Sequence, residues 1–153
     1  MILLAAIRPD DWNLPLFLHI LGAMTLVGTL GLVTASLVGA WRGGSVATVR
    51  LGFRSLLMAA LPAWIVLRVS AEWLVSEENL DEDAPGWVDV GYMTSDTTFL
   101  LLIVATVCAG IAARRAARGE GGGGGLNRAV VVLVAISLVA YVVAIWAMAT
   151  KPS

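Results

Sequence analysis

From Leu14 to Ala40 the chain reads LPLFLHILGAMTLVGTLGLVTASLVGA, without one formal charge. As an α-helix this run would extend about 40 Å, against a bilayer hydrocarbon core of about 30 Å. It reads as a membrane-spanning helix that tilts or protrudes, since within lipid a helix satisfies all its own backbone hydrogen bonds. The rest of the chain agrees. Of 153 residues, 59% are hydrophobic and only 14% are charged, more apolar surface than a water-soluble domain of this size hides. The expected fold class is all-α: one integral membrane four-helix bundle over residues 1–153.

Residues 1–13 read as an uncleaved lead-in, because no basic start or small-residue cleavage site is visible. Asn13 can cap the first helix, about 14–40, and Pro15 falls in the first turn, where a missing N–H does no harm. The second helix, about 55–74, contains Pro62, which predicts a kink, and Arg68. An acidic outer loop, 75–96, holds Glu77, Glu78, Asp81, Glu82, Asp83, Asp89 and Asp96 with no basic residue. An EF-hand calcium loop begun at Asp81 fails at Pro85 and Tyr92, where ligands belong. This leaves a solvated loop whose Trp87, Val88, Val90 and Tyr92 are expected to fold back onto the membrane surface. Ser95 or Asp96 can cap a third helix, about 98–117. A glycine-rich link without a phosphate-loop pattern leads to the fourth, about 128–149.

Small residues suggest how the helices meet. At about 100° per residue, Gly28, Gly31, Ala35 and Gly39 share an arc of about 80° on the first helix. This is a small-xxx-small face of the kind that lets helices approach closely in lipid. Tight packing within the monomer is its first reading, contact with a second copy or a larger complex its second. Ala105, Ala109 and Ala113 repeat the spacing on the third helix, and Cys108 beside them reads as a buried structural thiol.

Charge sets the expected topology. Arg42, Arg50 and Arg54 follow the first helix, and Arg114, Arg115, Arg118 and Arg128 flank the link after the third, whereas the acidic loop lies at the other end. Positive-inside places the arginines in the cytoplasm and both termini outside, with Trp12, Trp73 and Trp146 together at the outer interface. The lipid bilayer is the first partner. Nucleic acid is excluded, since orientation already accounts for the basic residues.

Depth along the helices draws His19, Arg68, Glu72 and Tyr141 towards one another in the outer half of the bundle. Ionisable residues inside a membrane are functional candidates. The plainer reading is a structural cluster, with Arg68 and Glu72 paired at i, i+4. No catalytic constellation is visible, so an enzyme is not expected.

The stretch Leu18, His19, Ile20, Leu21, Gly22, Ala23, followed by Gly28, resembles the opening of the first helix in copper-resistance-D-like bacterial membrane proteins. PAWIVLRVSAEW and PGWVDVGY resemble a separate group of uncharacterised bacterial four-helix membrane proteins, a likeness that implies a bacterial cell membrane but no activity. The first resemblance implies copper or haem at His19 alone. Met148 or His19 of a second copy would have to complete the ligand set. Without that, no cofactor is expected.

Three functions are thus open: a non-catalytic membrane component acting through helix contacts, a small transporter or ion-handling protein built on the polar cluster, and a haem or copper protein resting on His19.

Overall fold

A computed structural model of the chain describes residues 12–40, 45–77, 86–119 and 123–150, all but a few of them helical. Helix α1 spans Asn13–Ala40; α2, Val46–Ser55, continues through a π-helical turn, Leu56–Ala60, into α3, Leu61–Glu77. Helices α4, Gly86–Ala117, and α5, Gly123–Ala149, complete the order. Four helices, with α2 and α3 counted as one, are long and apolar enough to cross a membrane.

Several boundaries differ from the sequence expectation, each for a local reason. The second helix begins at Val46, so Arg50 and Arg54 stand on the helix and not in a link. Helix α4 begins at Gly86, and the expected acidic loop 75–96 is therefore helical at both flanks. Asp89 lies in the first turn of α4, where a carboxylate favours the helix dipole. Ser95 and Asp96, read as caps, lie well inside that helix. At its far end, Arg118 N–H donates to the Arg114 and Arg115 carbonyls and Gly119 takes φ +70°, a left-handed stop that glycine adopts without strain. The last glycines of the link join the first turn of α5, which tolerates them. The expected lead-in 1–11, the link 41–44, the acidic core 78–85 and residues 120–122 lie outside the described residues.

Pro62 shapes the second helix. Its ring would strike the carbonyl four residues back in a regular α-helix, and it donates no N–H. The chain answers with the π turn, in which Leu61 N–H reaches back to the Leu56 carbonyl. Below this turn α2 packs against both α1 and α4, whereas above it α3 lies mainly on α1 and touches α4 sparsely. Helices α4 and α5 form the other tight pair, and α5 closes the bundle against α1. The core is built from Leu26, Leu30, Val33, Leu56, Leu102 and Val134, all fully buried.

The expected small-residue face of α1 does not pack within the chain. A β-carbon added at Gly28, Gly31 or Gly39 would meet nothing within 4 Å, and Ala35 is exposed. The bulky Leu26, Leu30, Val33 and Leu37 instead turn that face outward by filling the core. The glycine that does bring helices together is Gly22, where a β-carbon would stand 2.9 Å from Leu67 N and 3.2 Å from the Ala63 carbonyl. On α4, Ala105, Ala109 and Ala113 are buried in the bundle; Cys108 beside them is only half-buried.

Two substitutions separate these roles. Gly22→Leu should force α1 and α3 apart and lower stability by about 1–3 kcal/mol, whereas Gly31→Leu should leave the isolated chain unchanged. Thermal unfolding in detergent, followed by circular dichroism, checks both.

Candidate functional site

Where α3 and α4 diverge, long side chains span the gap. The Trp64 indole N–H donates to the Ser95 carbonyl at 3.1 Å, and its ring stacks on Phe99 with centroids 4.0 Å apart. One turn further along α3, Arg68 pairs with Glu72 on its own helix at 2.5 Å and reaches across to Asp96 on α4 at 3.3 Å. Its guanidinium also lies over the Tyr92 ring, 4.3 Å from the centroid. The Arg68 side chain is 23% exposed, against 60% for Glu72 and 62% for Asp96. The cation is thus drawn inward while both carboxylates stay at the rim, which limits the desolvation cost of the group.

Helix α5 joins through a buried hydrogen bond, 2.8 Å, between Tyr141 and Thr98 of α4. Thr98 is itself held by the Thr94 carbonyl at 2.6 Å. From α1, His19 comes to rest against the backbone of Leu67. Its Nδ1 is buried without a hydrogen-bond partner.

Between these side chains lies a cavity of about 250 Å³, bordered by all four spans at the end of the bundle where α1 begins and α5 ends. His19, Arg68 and Tyr141 line it; Glu72 does not, and acts on it only through Arg68. Tyr92 and Met148 line it as well, and a β-carbon at Gly91 would stand 2.6 Å from Met148 Cε, so this glycine leaves room for the thioether. The walls are otherwise mainly apolar, with a few converging polar groups, the usual make-up of a small-molecule site.

The structure brings His19, Arg68 and Tyr141 to one cavity and leaves Glu72 outside its lining. In the sequence Asp96 and Tyr92 fall in the expected acidic loop, which hides their place beside Arg68. Had α4 been extended to Gly86, the spacing of Tyr92 and Asp96 at i, i+4 would have set them on one face beside Arg68. As metal donors the lining residues offer one imidazole and one thioether. Among the described residues no three His, Cys, Asp or Glu side chains gather to hold an ion. A histidine and a methionine can serve as the two axial ligands of a haem iron, so His19 and Met148 are the donors this cavity offers.

Comparison with protein-family models, with curated proteins and with solved structures finds no match to this chain.

Tyr141→Phe keeps the ring and removes the bond to Thr98. It should cost about 0.6–1.7 kcal/mol, the range for hydrogen bonds between helices in an apolar medium. Unfolding in detergent measures it, and a double-mutant cycle with Thr98→Val isolates the pair.

Proposed function

We propose that the chain is an integral protein of a bacterial cell membrane that spans the bilayer four times, with both termini and the acidic segment outside. In this reading it acts without catalysis, through helix contacts with itself or with a larger membrane complex. The length and apolarity of the four helices support insertion. So do the outward residues, among them Phe17, Met24, Ile65, Leu100, Val139 and Trp146, which are large, apolar and exposed on every side of the bundle. The arginines at one end and the acids at the other support the orientation.

The observation that carries the contact reading is the open face of α1. Among the described residues nothing lies within 4 Å of a β-carbon placed on Gly28, Gly31 or Gly39. Glycine lowers helix propensity and adds nothing against lipid, whereas against a second helix it allows backbones to close up. Because Gly31→Leu and Gly39→Leu introduce no clash inside the chain, the double variant should fold as the parent does and lose assembly. Light scattering and cross-linking in mild detergent measure this. Parent-like assembly in a well-folded double variant would refute the reading.

A second reading rests on the outer cavity. The unpartnered, buried His19 Nδ1 beside Arg68 and Tyr141 supports the binding or passage of a small polar molecule or ion. Arg68→Ala should then abolish transport or pH-dependent behaviour; full retention removes this alternative. A haem or copper role would draw on His19 with Met148, or on His19 with the His19 of a second copy. An absorption spectrum and metal analysis of the parent protein, beside His19→Ala, test it: a Soret band or stoichiometric copper lost in the variant supports it.

A further inference from the structure

At the end of the bundle opposite the start of α1, α2 and α4 border a second cavity, of about 500 Å³. Arg50 and Arg54, one turn apart on α2, and Arg114 on α4 all line it. Among the described residues none of these three arginines has a carboxylate beside it, whereas Arg68 is paired with Glu72 and Asp96. Three like charges around one space repel one another unless an anion stands between them.

The remaining walls are of a different character. Phe53, Val107 and Ile111 give the cavity an apolar side. Gly110 brings the Phe53 ring close, 3.1 Å from where a β-carbon would be. Arg114 is near the end of α4, whereas Thr106, also in the lining, lies about 12 Å further into the helix by residue rise. The groove thus runs from the level of a membrane's headgroups into that of its acyl chains. A free phosphate would use the cationic mouth and leave the apolar wall facing water; a phospholipid covers both.

We infer that this groove is a binding site for an anionic phospholipid, its phosphate-bearing headgroup held among Arg50, Arg54 and Arg114 and one acyl chain laid along Val107 and Ile111. The inference rests on the membrane reading above. Guanidinium suits the headgroup because its planar fork grips phosphate oxygens in pairs, and each arginine that grips it within the groove contributes about a fivefold gain in affinity.

The full chain, purified in mild detergent, is titrated in separate arms with phosphatidylglycerol, phosphatidylcholine and inorganic phosphate, and bound lipid is read by native mass spectrometry and by the melting temperature. Phosphatidylglycerol should be retained and raise the melting temperature; the other two should do neither. Arg50→Gln, Arg54→Gln and Arg114→Gln should each weaken retention about fivefold. Arg115→Gln removes the same charge from the same helix outside the cavity lining, and should change retention less than twofold. Equal retention of both lipids, an equal loss in Arg115→Gln, or stabilisation by phosphate alone to the same degree would overturn the inference. The comparison of lipids on the parent protein needs no variant to fold. Carbonate-resistant association with phosphatidylcholine vesicles tests the membrane reading separately: its loss sinks that reading, whereas its retention without preference for the anionic lipid sinks only this one.

Discussion

The missing N–H and bulky ring of Pro62 set the course of the second span, and much else depends on that course. A regular α-helix through this point would collide with itself one turn back. The π turn at Leu56–Ala60 relieves the collision and divides the span into a half shared between α1 and α4 and a half given mainly to α1. The two cavities lie on either side of this division. One opens where α3 leaves α4, the other lies along the α2 and α4 contact at the arginine-rich end.

Close packing and internal hydrogen bonds hold the helices together. The bundle uses both, in different places. Gly22 brings α1 against the α3 backbone, and the alanines of α4 line the core. Where the helices separate, Trp64, Arg68 and the pair of Thr98 and Tyr141 join α3 to α4 and α4 to α5 with polar bonds. The ring stack of Trp64 on Phe99 adds an apolar contact at the same level.

The number of apolar spans could be read from the sequence because uncharged runs of bilayer length leave few alternatives to a helix. Helix ends were harder to read. Asp89, Ser95 and Asp96 are common in loops and at caps, so they drew the start of α4 towards residue 98, although Trp87, Val88 and Tyr92 already supplied an apolar face. Depth along a helix is proportional to residue number, which is why His19, Arg68 and Tyr141 could be set at one level. Direction around the axis was less legible on α1, where apolar residues occupy every face and small residues mark a contact surface without saying whose. Gly22 was passed over for the longer series from Gly28 to Gly39, yet the close crossing is made by that single glycine. The Arg50, Arg54 and Arg114 cluster was counted as topology alone, because sequence order hides that α2 and α4 are neighbours.

Met148 gives the cavity beside His19 a property of its own. The thioether reaches over Gly91 from α5, and an unbranched chain with three rotatable bonds has several ways to fill the same space. A change of rotamer there exchanges occupied for empty volume without moving a helix, on the picosecond-to-nanosecond scale of side-chain motion. The cavity is accordingly elastic on one wall and stiff on the others, where Arg68 and Tyr141 are tied to α4. Whatever enters it would be gauged for shape by those fixed groups and for size by one methionine.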